Sequence, residues 1–232
     1  MQRIVMTALL AGALAGIAVF ALHMWQTTPM ILEAEVFENG TPAPTHAHAA
    51  GEAAGHAHAA AADDDAWPAP GLERNAYSLL ADVVTAIGFG FLLVGAMAIS
   101  GRNVDWQAGV IWGLCGFAAF FVSPALGAPP ELPGMVAAEL GERQTWWLAT
   151  AAAATVAMGL IFFAPGLLWK AVAALLLIAP HAIGAPHPVM EPGNVPAELA
   201  AQFAVASLVV NGLFWMALGG FSGYFYERFG NA

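Results

Sequence analysis

Charge is what this sequence has least of. Of its 232 residues, only 6 are Lys or Arg and 16 are Asp or Glu, whereas 59% are hydrophobic. Soluble domains carry roughly 25% charged residues, so there is too little charge here to cover a water-facing surface. Six scattered basic residues also cannot supply the clustered phosphate contacts of a nucleic-acid-binding protein. The composition therefore predicts an integral membrane protein.

Several motifs of catalysis and redox chemistry are also absent. The single cysteine, Cys115, excludes an intrachain disulfide and a paired-cysteine metal site. The sequence has no G-x-x-x-x-G-K-[ST] segment, no H-E-x-x-H segment and no nucleophile elbow. We therefore expect no enzyme activity, no catalytic residues, no nucleotide and no tightly bound cofactor.

Long apolar runs define the membrane segments, since a hydrocarbon core about 30 Å thick needs about 20 apolar residues per helix. Six such runs lie near residues 4–24, 76–99, 107–126, 145–164, 167–186 and 198–221. They predict an all-α integral membrane protein with six spanning helices; five remain an alternative, because the fourth run is Ala-rich. The first run could instead be a signal peptide, but its small-x-small triplet at 13–15 lies in mid-run, which favours a retained helix.

The positions of the basic residues predict the orientation of the helices. With a cytoplasmic N-terminus, four basic residues lie on the cytoplasmic side and two outside; the four are Arg3, Arg102, Lys170 and Arg228, and the two are Arg74 and Arg143. Most acidic residues then lie outside as well. The protein is predicted to present an acidic outer face.

The chain divides into a first spanning helix (1–24), an outer segment (25–75) and a membrane domain (76–232). The outer segment carries eight acidic residues and one Arg, and its middle has almost no large apolar residue, so we expect it to be disordered without a ligand.

An internal repeat is the second organising feature. Residues 126–129 are echoed at 183–186, and residues 136–140 at 195–199. These echoes predict three hairpins in parallel orientation, each made of a rising helix, an outer loop and a falling helix. Some transporters use this plan and handle substrate at the repeat interface. Shared Pro-rich composition is the alternative explanation.

A doubled His-Ala-His pattern stands out in the outer segment. Its histidines are His46, His48, His56 and His58. In an extended chain, residues two apart point the same way, so each pair can offer two imidazoles to one ion. Nearby carboxylates add oxygen ligands. We predict capture of a divalent transition metal, with Co, Ni, Zn and Cu all suited to such ligands; an Ala-rich spacer is the alternative.

A second set of metal-ligand candidates lies near the outer ends of the spans. His23 and Met24 end the first span, and His181 and His187 flank the turn that ends the fifth. Imidazole with soft Met sulfur would suit a transition metal at a handover point. Hydrogen bonding of these histidines at headgroup level is the alternative.

Polar residues inside the spans are candidates for a pathway. Asp82 lies in the second span, where a charged group is costly and usually faces an interior. Gln202 and Asn211 in the sixth span could face the same interior, although helix–helix hydrogen bonding equally explains Asn211.

Several segments together resemble the CbtA family of proposed cobalt transporter subunits. They are the His- and acid-rich outer loop, Trp67-Pro68, Gly71-Leu72-Glu73-Arg74, Gly88-Phe89-Gly90-Phe91, Pro129-Pro130-Glu131-Leu132-Pro133-Gly134, Arg143-Gln144-x-Trp146-Trp147 and Pro180-His181-x-x-Gly184-Ala185-Pro186. The resemblance spans nearly the whole chain. It implies a multi-pass protein of the bacterial cytoplasmic membrane, linked to cobalt supply for cobalamin biosynthesis, with a small single-span CbtB-like partner.

Residues and resemblance together predict a membrane subunit of a divalent transition-metal uptake transporter, with cobalt as its metal. An inside-negative potential of 100 mV would favour entry of a divalent ion by about 4.6 kcal/mol. A membrane-tethered metal sensor or buffer that supplies another transporter is the alternative function. The expected partners are the lipid bilayer, the metal ion and the CbtB-like subunit, and a homo-oligomer stays open.

Overall fold

The computed structural model describes residues 1–38, 68–188 and 193–230, and within these ranges every regular element is a helix. The α-helices are α1 (Gln2–Leu22), α2 (Thr28–Glu38), α3 (Leu72–Ser100), α4 (Trp106–Phe117), α5 (Ser123–Ala125), α6 (Leu140–Phe163), α7 (Leu167–Ile183) and α8 (Ala197–Arg228). Two π-helical segments, π1 (His23–Thr27) and π2 (Ala118–Val122), join α1 to α2 and α4 to α5. His46, His48, His56 and His58 lie outside the described residues.

Five helical stretches are long and apolar enough to cross a membrane. They are Gln2–Phe37, Leu72–Ser100, Trp106–Ala125, Leu140–Phe163 and Ala197–Arg228. The predicted all-α membrane architecture is confirmed. The fifth predicted span, 167–186, corresponds to α7, which is apolar but has 17 residues and so a length of about 25 Å. It ends early because Gly184 takes a φ of 92° and Pro186 follows closely.

The two ends of the helix bundle differ in charge. Arg3 donates from Nε to the Tyr226 carbonyl at 2.7 Å, and its guanidinium lies 3.6 Å from the centre of that ring. Arg102 donates to the Phe162 carbonyl at 3.4 Å. These contacts place four basic residues at one end, which we call the basic end; they are Arg3, Arg102, Lys170 and Arg228. The opposite end, with His23, Asp82 and His181, is called the histidine end.

Helices α1, α3, α4 and α8 form the core, and glycine lets their backbones touch. A Cβ atom at Gly113 of α4 would lie 2.1 Å from the Trp215 carbonyl oxygen of α8, and one at Gly16 of α1 would lie 2.6 Å from the Val83 Cα of α3. Residues 8, 11, 12, 15 and 16 of α1 are buried in this packing.

The α6–α7 hairpin packs against this core through π2. Its turn is closed by Lys170, whose Nζ donates to the carbonyl oxygens of Leu160 and Ala164, at 3.1 Å each, and to that of Ile161. The last carbonyls of a helix have no partner within the helix. Lys170 therefore caps α6 with a positive charge, which also suits the negative end of the helix dipole.

The first helix continues beyond residue 24, where its predicted span ended, through π1 and α2 to Glu38. An apolar cluster beyond the main core stabilises this extension. Its buried members are Ala34, Leu132, Leu199 and Phe203, and it packs α2 against the α5–α6 loop and the start of α8. An ion pair from Glu35 of α2 to Arg74, in the first turn of α3, also holds this extension in place.

Both π-helical segments end two residues before a proline, Pro29 for π1 and Pro124 for π2. Proline lacks an N–H, and its ring clashes with the carbonyl four residues earlier, here that of Trp25 or Phe120. Widening the preceding turn relieves this clash and keeps the helix continuous. The prolines thus explain why these helices contain a π turn rather than a break.

Candidate functional site

The contact between His23 and Asp82 is the main polar feature of the histidine end. Nδ1 of His23 lies 3.0 Å from a carboxylate oxygen of Asp82. Helical side chains lean toward the N-terminus of their own helix. Because α1 and α3 are antiparallel, His23 and Asp82 lean toward each other. The close approach of these two helices at Gly12 and Gly16 brings the side chains within reach.

The depth of this pair follows from helix geometry. His23 is 20 residues beyond Arg3, and Asp82 is 20 residues before Arg102. At 1.5 Å per residue, either path is about 30 Å, the thickness of a bilayer's hydrocarbon core. His23 is therefore about one hydrocarbon thickness from the basic end. Asp82 lies ten residues inside the apolar helix Leu72–Ser100, within a candidate span as the sequence suggested.

The backbone at His23 is the start of π1. The Thr28 N–H donates to the His23 carbonyl, five residues back, and the Thr27 hydroxyl donates to the same oxygen at 3.4 Å. Thr27 is buried, and Met24 is half-buried in the same segment. Single π turns within α-helices occur frequently at functional sites. This turn fixes the backbone from which His23 projects.

His181 also lies at the histidine end, but its contacts are with residues other than His23 and Asp82. Its ring contacts that of Trp146 edge-on, with centroids 6.0 Å apart. Trp146 donates from Nε1 to the Pro180 carbonyl at 3.4 Å and lies against Gly127, where a Cβ atom would be 2.4 Å from the indole. His187 follows α7 and is exposed.

Trp146 is also where the two copies of the repeated Gly-Ala-Pro turn meet. A Cβ atom at Gly127 would lie 3.2 Å from the Cβ of Ala185, which belongs to the second copy. The sequence echo therefore corresponds to a contact in the structure. The second predicted hairpin consists of α4 and α6, and the third of α7 and α8. Each helix of the second packs against a helix of the third, α4 against α8 and α6 against α7, so these two hairpins are interleaved.

The two predicted pathway residues of α8 bond within their own helix. Gln202 is exposed and donates to Glu198 at 3.3 Å. It does not face the interior as the sequence suggested, because the buried stripe of α8 runs through residues 199, 203, 206 and 210. Asn211 is half-buried and donates to the Ser207 carbonyl at 3.0 Å. Its amide is thus satisfied inside α8 rather than by a neighbouring helix.

Carboxylates dominate the charge of the histidine end. Both of its arginines are in ion pairs, Arg74 with Glu35 and Arg143 with Glu131, the latter at 2.7 Å. Glu139 caps α6 by accepting the Glu142 N–H at 2.8 Å, and the N–H groups of Gly141 and Glu142 lower the pKa of its carboxyl. Negative charge on this face raises the local concentration of cations.

Within the described ranges, no three or more His, Cys, Asp or Glu side chains form a group that could hold a metal ion. Among the predicted ligands and pathway residues, the structure joins His23 to Asp82, and it places His181 with Trp146. The π turn, the Glu35–Arg74 pair and the position of Trp146 were missed from sequence. Pro29 and Pro124 were the available signals for the π turns.

Comparison with known proteins gives one family. The model of the CbtA family, described as a probable cobalt transporter subunit, matches residues 1–227. No curated protein and no solved structure matches the chain. A match over nearly the full length, on a helical membrane architecture, assigns the family. The chain belongs to the CbtA family, a family of probable transporter subunits rather than of enzymes.

Proposed function

We propose that the protein is the membrane subunit of a divalent transition-metal uptake transporter, with cobalt as its cargo. The family description supports a cobalt transporter subunit. The observation that carries the proposal is the His23–Asp82 contact, which lies about one hydrocarbon thickness from the basic end. An imidazole beside a carboxylate at a membrane boundary is suited to receive such an ion as it leaves water.

The proposed orientation puts the basic end in the cytoplasm and the histidine end outside. Four of the six basic residues lie at the basic end, in agreement with the positive-inside rule. In this orientation the carboxylates of the histidine end face the medium and concentrate cations there. The membrane would be the bacterial cytoplasmic membrane, since the potential across it drives cations inward.

Ions would first bind the outer segment through His46, His48, His56 and His58. They would then pass to ligands at the histidine end, including His23, Met24, His181 and His187, and cross between the helix hairpins. Imidazole ligands also suit Ni, Zn and Cu, so these ions are the competing cargoes. The metal is a substrate in this proposal, and no resident cofactor is required. A single-span CbtB-like subunit would be the partner, and the imported cobalt would feed cobalamin biosynthesis.

The filled centre of the core favours a second candidate function. Phe89, Phe120 and Trp215 pack against one another there, with ring centroids 5.0 to 5.7 Å apart, in a cluster that includes the buried side chains of Phe214 and Leu218. Ion passage requires helix movement or another subunit to open a polar route. A protein that only binds metal through the histidines of the outer segment and delivers it to another transporter needs no such opening.

Both functions predict that loss of this chain lowers cobalt uptake by the cell. Cells that lack this chain, but keep the partner subunit, should take up several-fold less cobalt-57 at nanomolar supply, and the wild-type gene should restore uptake. Unchanged uptake in the deletion strain would contradict both functions.

Purified protein in proteoliposomes, with and without the partner, then distinguishes transporter from buffer. A transporter moves cobalt-57 into the lumen under an inside-negative potential. A buffer binds cobalt-57 but leaves the lumen empty. Deletion of residues 44–66 gives an independent test, because a transporter should retain slow transport at high metal, whereas a buffer should lose its function.

A further inference from the structure

We infer that His23 binds the transiting divalent transition-metal ion through Nε2, and that Asp82 is its positioning residue, holding the imidazole by Nδ1. The inference rests on the proposed function for the identity of the ion, but the site itself is read from the geometry of α1, π1 and α3.

The hydrogen bond determines which nitrogen is available. An ionised carboxylate only accepts hydrogen bonds, so the 3.0 Å contact requires a proton on Nδ1 of His23. In the neutral ring the lone pair then lies on Nε2. Metal-binding histidines in proteins have this same arrangement, because they almost always donate the other ring N–H to a carboxylate, a carbonyl or water. Asp82 thus selects the tautomer that can bind metal.

The exposure of the two side chains agrees with these roles. The His23 side chain is 31% exposed and the Asp82 side chain 20%. The imidazole is therefore the more exposed of the two groups, while the carboxylate that orients it is more shielded. The backbone at His23 is also fixed, since both the Thr27 hydroxyl and the Thr28 N–H bond to its carbonyl oxygen. Ring and backbone are held independently.

The ligand set selects the class of ion. One neutral imidazole beside a carboxylate favours Co²⁺, Ni²⁺, Zn²⁺ and Cu²⁺ over Mg²⁺ and Ca²⁺, which prefer oxygen ligands. In the described part of the chain, no third His, Cys, Asp or Glu completes a group of three. Water or an incoming ligand must fill the remaining coordination positions. Few protein ligands mean weak binding and fast release, which suits a transit site.

The test is direct metal binding by the full-length protein in detergent, with His46, His48, His56 and His58 replaced by Ala to remove the outer-segment ligands. Histidine labelled with nitrogen-15 then reports only His23, His181 and His187. Without metal, the nitrogen shifts of His23 should show a proton on Nδ1 and a lone pair on Nε2. Addition of Co²⁺ should broaden the His23 signals first, and Mg²⁺ should leave them unchanged.

Substitutions at both positions complete the test. His23→Ala should abolish the cobalt-induced change, and Asp82→Asn should raise the apparent Kd for Co²⁺ about 10–100-fold, as is usual for loss of a carboxylate behind a metal-binding histidine. Asp82→Glu, which keeps the carboxylate, should restore part of the affinity. Glu73→Gln is the matched control, because it removes an exposed carboxylate from the same helix and should leave the Kd unchanged.

Three results would overturn the inference: a lone pair on Nδ1 of His23, unchanged Co²⁺ binding in His23→Ala, or an unchanged Kd in Asp82→Asn that remains folded by its melting temperature. Binding that is lost only in His181→Ala or His187→Ala would place the site elsewhere. Failure of the transport proposal looks different, since metal would bind at His23 while cobalt-57 stayed outside the vesicles.

Discussion

The four-helix core and the α6–α7 hairpin are held by different means. In the core, glycines on α1, α4 and α8 bring helix backbones into contact, and a Cβ atom at Gly109, Gly113 or Gly219 would lie 2.1–2.3 Å from a carbonyl oxygen. In the hairpin, Ala173 is the buried residue of α7, and the turn depends on Lys170. The difference teaches that backbone contact makes the core intolerant of an added atom at these glycines, while the hairpin depends on a few replaceable side chains.

The largest effect is expected from Gly113→Ala in the core. The new methyl would overlap the Trp215 carbonyl, and a backbone atom cannot move aside as a flexible side chain can. We expect loss of folded, monodisperse protein, measured by size-exclusion chromatography and thermal unfolding in detergent.

Gly159→Ala is the matched control on α6, where a Cβ atom would meet nothing within 4 Å. That variant should keep or raise the melting temperature, since Ala is favoured over Gly in a helix by about 1 kcal/mol. Equal tolerance of the two substitutions would remove the distinction between core and hairpin.

An intermediate, local effect is expected from Lys170→Met. The carbonyls of Leu160, Ile161 and Ala164 would lose a charged donor, and hydrogen bonds to charged groups contribute about 1.5–3 kcal/mol each at most. Hydrogen exchange should accelerate at the α6–α7 turn and stay unchanged in α1 and α8. Arg228→Met removes an exposed charge from the same end and should not affect the turn. Faster exchange throughout the molecule would show that hairpin and core unfold together.

The smallest effect concerns the cap of α6. Because backbone N–H groups lower the pKa of Glu139 in the folded protein, its charged cap stabilises α6 above the ordinary pKa of Glu, and this contribution is lost as pH falls through the lowered pKa. Glu139→Gln should therefore lower the melting temperature slightly at neutral pH, with the difference vanishing in acid. Glu142→Gln, which keeps the cap bond, is the comparison. A difference that persists in acid would mean that the charge of the cap is not what matters.

Sequence patterns predicted the membrane helices well because burial in lipid requires continuous apolar runs. The predicted run 107–126 corresponds to Trp106–Ala125, and 198–221 lies within α8. The extension of the first helix to Glu38 was missed, because its charged residues suggested a loop. What stabilises it is contact with Leu132, Leu199 and Phe203, which are distant in sequence.

The candidate site was predictable only as separate residues. His23 and Asp82 were both recognised for their chemistry, but their contact depends on the register of α1 against α3, which Gly12 and Gly16 set through backbone contact. No local pattern specifies that register. Gln202 was misplaced because a polar residue in an apolar run was expected to face inward, whereas it lies outside the buried stripe of α8 that runs through Leu199 and Phe203.

The unbroken helical path from Gln2 to Glu38 has a consequence for competition by lipid. Glu38 lies 15 residues beyond His23, about 22 Å farther from the hydrocarbon boundary. The headgroup layer is only about 5–7 Å deep, and the attraction of its phosphates is screened over about 8 Å at physiological ionic strength. In the proposed orientation, with His23 at that boundary, the attachment point of residues 39–67 would stand roughly two screening lengths above the lipid, where anionic headgroups would compete little for cations.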